Sequence, residues 1–218
     1  MRKKIGIFVD YDQTLVDTVS FYLTNLDIFL ENLVHSLANF LRYTLKHRKV
    51  ELMKLIYYFL LEEDKRSKQI LERMRRKPNL YVDKNLFEFI RKLSKNENYD
   101  VKIVSSSSQN IIKYVLEELE KKFGEKFSID IIASSQNSLI TAKTKEEVAR
   151  NYNGLKICFV DGPNDVYMSI NCNIPIVVCS PIYYFCKEKP RGYKVRRGKL
   201  KEVLKLLEDK LTSRDFYQ

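Results

Sequence analysis

The chain has 218 residues, of which 44% are hydrophobic and 12% aromatic, so it is long and apolar enough to bury a substantial core. Six glycines and five prolines are too few for a disordered chain, and four cysteines without a CxxC pair favour neither a zinc site nor a disulfide framework. The net charge of +11 is concentrated in residues 42–77 and 187–201, which carry +7 each. Such a field attracts anions without choosing among phosphorylated metabolites, nucleic acids and lipid surfaces.

Membrane insertion and secretion are not indicated by the sequence. The most apolar region, residues 15–45, is interrupted by acidic and amide side chains and lacks the roughly 18 uninterrupted apolar residues of a membrane span. The N-terminal MRKK precedes only five strand-like residues, too few for a signal-peptide core. We therefore expect a cytoplasmic protein without a membrane partner, present as a monomer or a homodimer.

The first elements in chain order are a strand and a long helical block. Residues 4–10 (KIGIFVD) form a short β-branched run that ends in polar residues, as a strand buried on both faces does. From residue 16 to residue 77, apolar side chains recur every three or four positions without any glycine or proline, which predicts long helices. Pro78 ends this block because proline cannot continue a helix interior.

Helices and strands alternate in the rest of the chain. The predicted elements are helix 83–95, strand 101–105, helix 109–122, strand 129–133, helix 144–152, strand 155–160, helix 163–170, strand 174–179 and helix 198–211. This alternation predicts an α/β fold with a doubly wound, Rossmann-like parallel sheet. Ligands of such sheets bind outside the carboxyl ends of the strands, so the residues that follow each strand are the candidates for function.

Two pairs of carboxylates follow two of the predicted strands. Asp10 and Asp12 come directly after the first strand, where one carboxylate can attack phosphorus and the other can transfer a proton. Asp161 and Asp165 follow the strand at 155–160, which a crossover connection can place beside the first strand. Four converging negative charges require compensation, and carboxylate oxygens are the ligands that Mg²⁺ prefers.

Hydroxyl and lysine side chains follow two further strands. Ser105 opens a run of four serines before a helix, where hydroxyls and helix-terminal amides can hold an anion. Lys143 precedes another helix and can balance the charge of a transferring phosphoryl group. Lys145, two positions later, competes with it for this role.

In order along residues 4–170, these segments resemble the four motifs of the haloacid dehalogenase-like (HAD) hydrolases. FVDYDQTL is similar to the first motif, Ser105 to the second, Lys143 to the third and DGPND to the fourth. The C-terminal part, from DGPNDVYMSI onwards, resembles the phosphoserine phosphatase branch.

The resemblance implies an organisation, an activity and a set of residue roles. It implies a HAD-type core of residues 1–15 and 79–218 with an inserted helical cap domain of residues 16–78. It also implies an Mg²⁺-dependent phosphatase that hydrolyses a small phosphorylated metabolite through an aspartyl-phosphate. The implied roles are nucleophile for Asp10, acid and base for Asp12, and phosphate binding for Ser105, Ser106 and Lys143. The implied metal ligands are Asp10, Asp161, Asp165 and, through its backbone carbonyl, Asp12.

The segment that enters the helical block departs from the phosphoserine phosphatases. The glutamate that grips the substrate amine in those enzymes falls at about Val19, and Asp17 is the nearest carboxylate that can replace it. The basic helical block, which includes Arg42, instead suggests a substrate with more than one negative charge. Asp17 and Arg42 are therefore the candidate substrate-binding residues of the cap.

Two alternatives to a phosphatase stay open at this point. A phosphotransferase or mutase would use the same aspartyl-phosphate and differ only in the group that accepts the phosphoryl. The two basic clusters also fit a nucleic-acid-binding protein on a HAD-like scaffold, although the complete acidic set favours an enzyme.

Overall fold

The computed structural model describes residues 4–48, 50, 52–76, 81–135 and 137–212. Within these residues, six parallel strands form one sheet in the order β3-β2-β1-β4-β5-β6. The strands are β1 (Ile5–Val9), β2 (Tyr99–Ser108), β3 (Ile129–Ser134), β4 (Lys156–Val160), β5 (Ile174–Cys179) and β6 (Tyr193–Arg196). The predicted doubly wound parallel sheet is confirmed.

Ten helices accompany the sheet in the part of the chain that the structure describes. Four lie between β1 and β2 in one segment: α1 (Thr18–Thr24), α2 (Leu26–His47), α3 (Leu52–Lys65) and α4 (Ser67–Arg76). The others are α5 (Lys84–Ser94), α6 (Gln109–Phe123), α7 (Ala142–Asn151), α8 (Val166–Ile170), α9 (Pro181–Phe185) and α10 (Leu200–Thr212).

Both faces of the sheet are covered, which is why β1 reads as a continuous apolar run. On one face, Ile7 and Val9 belong to a core that α5, α6 and α10 complete with their apolar sides. On the other face, Phe8 belongs to a second core that includes residues of α7, α8 and α9. The alternation of Ile7, Phe8 and Val9 between the two cores follows from the twofold period of a strand.

The central position of β1 brings two strand ends together. Ile7 pairs with Val101 of β2 on one side and with Ile157 of β4 on the other. The strand order therefore places the residues that follow β1 beside those that follow β4 at the carboxyl edge of the sheet, as the crossover argument predicts.

The helical segment α1–α4 lies against this same edge. The Ser108 hydroxyl at the end of β2 donates a hydrogen bond to the Asp64 carboxylate of α3 at 2.7 Å. α2 packs on α3, and the rings of Phe29 and Phe59 meet between them with centroids 6.0 Å apart. The helices predicted for residues 16–77 are present over Thr18–Arg76, whereas Pro78, the predicted end of the block, lies outside the described residues.

Two elements near the C-terminus differ from the prediction. Residues 163–165 form a 3₁₀ turn before α8, so the helix predicted over 163–170 is shorter. β6 is a four-residue edge strand that periodicity did not indicate, because three of its side chains are exposed. Gly192 has a φ of 138°, and a Cβ there would lie 2.3 Å from the Pro175 carbonyl oxygen, so glycine allows β6 to approach β5.

Candidate active site

The first acidic pair lies where β1 leaves the sheet. Asp10 is 4% exposed, and its amide donates to the carbonyl of Phe159 at 2.9 Å, which fastens the end of β1 to β4. The chain then turns sharply, since Gln13 adopts a positive φ of 56°. Asp10 and Asp12 line the same cavity of about 380 Å³ at the carboxyl edge of the sheet.

The second acidic pair lies where β4 leaves the sheet. The Asp165 carboxylate accepts hydrogen bonds from the backbone amides of Asp161 (3.3 Å) and Gly162 (3.4 Å). The hydroxyl of Ser180, which follows β5, donates to the Asp161 carboxylate at 2.9 Å. Both carboxylates are buried, and these hydrogen bonds fix their positions. Ser180 has no counterpart in the sequence-based prediction.

One lysine joins the two pairs. The ammonium group of Lys145 on α7 is 2.6 Å from an oxygen of Asp10 and 2.6 Å from an oxygen of Asp165, and the side chain is 2% exposed. Burial by itself would lower the pKa of Lys145, but the charges of Asp10 and Asp165 outweigh that effect and raise it, so the ammonium stays charged.

Lys143, the expected lysine of this cluster, is exposed, and the expectation is corrected to Lys145. The reason is the start of α7. Thr141 caps the helix by accepting a hydrogen bond from the amide of Thr144, so both lysines lie in its first turns. Two residues separated by two positions point about 200° apart on a helix, so only one of them can face the sheet.

Three of the four predicted metal ligands converge. Asp10, Asp161 and Asp165 each offer a carboxylate oxygen, and these oxygens lie within 4.8 Å of one another. All three side chains are buried, with Lys145 as the cation between them. Hard, anionic oxygen donors at this spacing fit a divalent cation such as Mg²⁺. The chemistry of the donor set therefore agrees with the expected ion.

The electrostatics of the cluster favour additional positive charge. Burial and the nearby Asp165 carboxylate raise the pKa of Asp10 well above its usual range, although Lys145 acts in the opposite direction. Burial and Asp165 also raise the pKa of Asp161 to about 7. One lysine therefore does not offset the negative charge of the three carboxylates, and a cation bound among them would be stabilised.

The Asp12 side chain faces serines instead of this cluster. Its carboxylate accepts a hydrogen bond from Ser107 and lies 3.5 Å from the Ser105 hydroxyl. Burial raises the pKa of Asp12 despite the opposing effect of the Ser107 hydrogen bond. A carboxyl group of raised pKa at the mouth of the cavity is suited to carry a proton.

The serines at the end of β2 differ in their surroundings. Ser105 is fully buried, and its hydroxyl accepts a hydrogen bond from the Ser107 amide at 3.1 Å. The Ser106 hydroxyl is buried and has no hydrogen-bond partner among the described residues. Ser106 and Ser107 line the cavity. Ser107 was not predicted as a site residue, although its place in the serine run was a signal for it.

The opposite wall of the cavity is formed by the helical segment. Tyr22 of α1 and Phe59, Leu60 and Glu63 of α3 line it. The Tyr22 hydroxyl donates a hydrogen bond to the Glu63 carboxylate, and burial raises the pKa of Glu63 to about 8. Among the described residues that line the cavity, Lys145 is the only cation. No local pattern indicates Glu63, because Glu62, Glu63 and Asp64 are adjacent and only the fold decides which of them faces the cavity.

The two predicted substrate-binding residues are not among those that line this cavity. Asp17 caps α1 and accepts hydrogen bonds from the Ser20 amide (3.0 Å) and the Ser20 hydroxyl (2.8 Å). Arg42 is exposed on α2. Asp17 satisfies the backbone at a helix start, which is the usual role of an aspartate in that position.

One arginine of the C-terminal basic cluster supports the site. The Arg197 guanidinium donates to the carbonyls of Gln13 (2.6 Å) and Thr14 (3.2 Å) in the loop that follows β1. This contact holds the loop that carries Asp12. At least one basic residue of the cluster 187–201, Arg197, therefore has a structural role.

No family model matches the sequence, and no curated protein matches it. Solved structures do resemble the chain. A phosphoserine phosphatase in a phospho-aspartyl intermediate analogue form is 18% identical with a TM-score of 0.52, over 94% of this chain and 99% of that one. A phosphoserine phosphatase from T. onnurineus is 17% identical with a TM-score of 0.53, over 93% and 94% of the two chains.

A HAD family hydrolase from Salmonella enterica has a TM-score of 0.53 at 13% identity, over 92% of this chain and 71% of that one. The chain has the HAD hydrolase fold. The predicted HAD-type fold is confirmed, and phosphoserine phosphatases are among the structures that share it. Because one fold supports several activities, the activity has to be argued from the site.

In the described part of the chain, no helix combines sufficient length with sufficient apolarity to cross a bilayer.

Proposed function

We propose that the protein is a divalent-metal-dependent phosphomonoesterase that works through a phosphorylated Asp10. The observation that carries this proposal is the joint placement of Asp10, Asp161 and Asp165 around the Lys145 ammonium. Their oxygens lie within 4.8 Å of one another, and two of them are 2.6 Å from the lysine nitrogen. A nucleophilic carboxylate beside a metal-binding acidic set is an arrangement suited to phosphoryl transfer.

In the first half of the reaction, a carboxylate oxygen of Asp10 attacks the phosphorus of the ester. The bond between phosphorus and the leaving-group oxygen breaks, and Asp12 gives its proton to that oxygen. The raised pKa of Asp12 supports this role because the proton has to be present before the attack. The products of this half are the free alcohol and an aspartyl-phosphate on Asp10.

In the second half, the Asp12 carboxylate takes a proton from water, and the resulting hydroxide attacks the same phosphorus. The bond between phosphorus and Asp10 breaks, which releases inorganic phosphate and restores both carboxyl groups. Lys145 offsets negative charge beside the attacking oxygen throughout. Ser106 and Ser107 supply hydroxyls to the phosphoryl oxygens, and the buried, unpartnered Ser106 hydroxyl is free for this use among the described groups.

Asp10, Asp161 and Asp165 are the residues that would hold the divalent cation. When bound, the cation neutralises the acidic set and the phosphoryl oxygens, and it keeps Asp10 ionised for attack.

The helical segment, residues 16–78 in the predicted division, acts as the cap that encloses the leaving group. Its wall of the cavity presents the Tyr22 and Glu63 pair next to Phe59 and Leu60. A carboxyl group with aromatic neighbours favours a leaving group that forms a hydrogen bond with it, such as a hydroxyl or an amine, and that has a small apolar part. The absence of a basic side chain among the described residues of this wall disfavours a second phosphate on the substrate. The proposed substrate class is therefore a small phosphate ester with one phosphoryl group.

Phosphate release from a panel of phosphomonoesters tests the proposal, with Mg²⁺ and with EDTA, for the wild type and for Asp10→Asn. We expect metal-dependent release that Asp10→Asn lowers by at least about 10³-fold, since the variant lacks the nucleophile. Amino-alcohol and polyol monophosphates should be better substrates than bisphosphates. The Asp209→Asn variant is the matched control, because Asp209 is exposed on α10.

Hydrolysis and transfer are separated by adding an alcohol or sugar acceptor. A phosphatase releases inorganic phosphate in proportion to the ester consumed, whereas a phosphotransferase forms a new ester at the expense of free phosphate. If no ester is turned over by the wild type, and nucleic acid binds with a steep salt dependence, the enzymatic proposal is wrong.

A further inference from the structure

The outer face of α2 carries an apolar stripe that the described residues of the chain leave exposed. Six side chains form it: Leu26, Leu30, Val34, Leu37, Leu41 and Leu45. Their exposed fractions run from 39% for Leu37 to 79% for Leu45. At 3.6 residues per turn, all six fall within an arc of about 100° over a length of about 28 Å. Continuous apolar stripes of this size mark interaction surfaces on proteins that are otherwise well packed.

The spacing of the stripe is the same in both directions along the helix. Successive members are separated by four, four, three, four and four residues. The stripe is therefore symmetric about a point between positions 35 and 36, where His35 and the buried Ser36 lie. A second α2 that runs antiparallel about a twofold axis at this point places Leu26 opposite Leu45, with the other four residues paired in the same way. Such self-complementarity is what an isologous dimer interface requires.

The charges beside the stripe have the matching arrangement. Asp27 and Glu31 lie beside its N-terminal half, and the exposed Arg42 lies on the same side of its C-terminal half. In an antiparallel pair, the same flank of each helix faces the other, so acidic residues of one copy face the basic residue of its partner. In a parallel pair, this flank of one copy would instead face the opposite flank of the other, which carries Phe29, Leu33 and Phe40. The charge pattern therefore selects the antiparallel arrangement.

Asp27 and Glu31 also form ion pairs within the chain, with Arg73 at 2.8 Å and with Arg66 at 3.1 Å. Their side chains nevertheless stay 60% and 52% exposed. A carboxylate accepts hydrogen bonds at both oxygens, so each can contact a second cation from the partner. The internal pairs fix the acidic side chains in place and leave their outer sides accessible.

We propose that the α2 face binds the α2 of a second copy of this chain, antiparallel about a twofold axis between residues 35 and 36. This inference does not depend on the proposed activity, because the stripe lies on the outer face of α2 and shares no residue with the cavity. It specifies which surface forms the homodimer and in which direction the helices run.

The mass in solution tests the interface. We expect the full chain to sediment as a dimer, at twice 25.9 kDa, at micromolar concentration. Val34→Glu with Leu37→Glu places four carboxylates at the twofold axis and should raise the dissociation constant at least 100-fold. Leu206→Glu is the matched control, since Leu206 is a 63% exposed leucine on α10, and it should leave the dimer intact. Circular dichroism checks that each variant folds, and Leu45→Glu at the end of the helix is the milder replacement.

The direction of the helices is tested by charge reversal. Arg42→Glu should weaken the dimer about 10-fold, because an acidic side chain then faces acidic side chains. Adding Asp27→Lys and Glu31→Lys to the same chain should restore it, since the pattern is again complementary with inverted signs. A dimer that is weakened further by these two added substitutions contradicts the antiparallel arrangement.

Two results would overturn the proposal altogether. A wild-type chain that sediments at the mass of one copy at high micromolar concentration excludes the dimer. A monomer that binds vesicles of anionic phospholipid, with binding lost in Val34→Glu with Leu37→Glu, assigns the stripe to a lipid surface instead.

Discussion

The two walls of the cavity are built from opposite kinds of residue. The sheet edge contributes four aspartates with one lysine between them, all placed by the ends of β1, β2 and β4 and by the start of α7. The helical segment contributes Tyr22, Phe59, Leu60 and Glu63. The first wall has the groups that phosphoryl transfer needs, whereas the second has the groups that contact the rest of a substrate.

We therefore expect the sheet-edge wall to determine turnover and the helical wall to determine substrate selectivity. The wall at the sheet edge is held by short hydrogen bonds and ion pairs in a buried environment, so changes there should affect turnover and stability strongly. The helical wall surrounds space that a leaving group would occupy, so changes there should alter selectivity and leave turnover of the best substrate less affected. Among the described residues, the lysines and arginines of the helical segment lie outside the cavity. The positive charge of this segment therefore does not contribute to the helical wall.

The largest expected effect is at Lys145. Lys145→Met removes the cation that Asp10 and Asp165 share, which leaves two buried carboxylates without compensation. We expect activity to fall by about 10²- to 10³-fold. We also expect the metal-free protein to lose about 3–5 kcal/mol of unfolding free energy, measured by urea denaturation in EDTA.

Lys143→Met is the control for this change because Lys143 is exposed on the same turn of α7. It should alter the unfolding free energy by less than about 0.5 kcal/mol and leave activity unchanged. Equal effects of the two substitutions would contradict the assignment of Lys145 to the sheet-edge wall.

A smaller effect is expected from Mg²⁺ on the folded protein. An ion that binds only the native state stabilises it by about 2.7 kcal/mol at 100 times its dissociation constant. The measurement is the midpoint of thermal unfolding as MgCl₂ is added, with KCl of equal ionic strength as the reference. Asp161→Asn should remove most of this stabilisation, since it deletes one of the three converging carboxylates. Stabilisation that persists in Asp161→Asn would place the ion elsewhere.

The last effect concerns Glu63 on the helical wall and depends on pH. Burial raises the pKa of Glu63 to about 8 in the native state, above its ordinary value, so the native state binds this proton more tightly than the unfolded state. The resulting stabilisation is complete below the ordinary pKa of about 4.5 and is lost as the pH rises to about 8. The wild type should therefore lose more stability than Glu63→Gln between pH 5 and pH 9, by on the order of a few kcal/mol in EDTA.

The neighbouring Glu62 provides a control of opposite sign. Burial opposes the shift, but hydrogen bonds from Lys65 and Arg66 lower the pKa of Glu62. Its contribution is therefore present above its ordinary pKa and lost as the pH falls. The difference in stability between the wild type and Glu62→Gln should shrink in acid. The same pH dependence in Glu63→Gln and Glu62→Gln would contradict the opposite pKa shifts of the two glutamates.

The sequence predicted the sheet well because strands buried on both faces leave a continuous apolar signal. β1 and β4 are of this kind, and their ends carry the acidic residues at fixed short spacings. β6 escaped prediction because an edge strand of four residues, three of them exposed, has no periodicity to detect. The helices of the segment α1–α4 were also predictable, since residues 16–77 contain no residue that breaks a helix.

The lining of the cavity was predictable where residues lie at or just after the end of a strand. Asp10 and Asp161 directly follow β1 and β4, and the strand order brings these two ends together. Lys145 required the phase of α7, which depends on the cap at Thr141. Glu63 required the packing of α3 against the sheet edge, which no local pattern in its run of three acids encodes.

The sequence by itself determined the first five strands of the sheet, the helical segment after β1 and the identity of the aspartates, because these depend on local periodicity and on spacings of a few residues. The tertiary structure alone decided that Lys145 and not Lys143 reaches the aspartates, that Asp17 and Arg42 lie away from the cavity, and that Glu63 lines it. The direction of a side chain depends on the rotation of its helix, and long-range packing sets that rotation. For the same reason, only the fold showed that the leucines of α2 face outward, where a second copy of the chain can cover them.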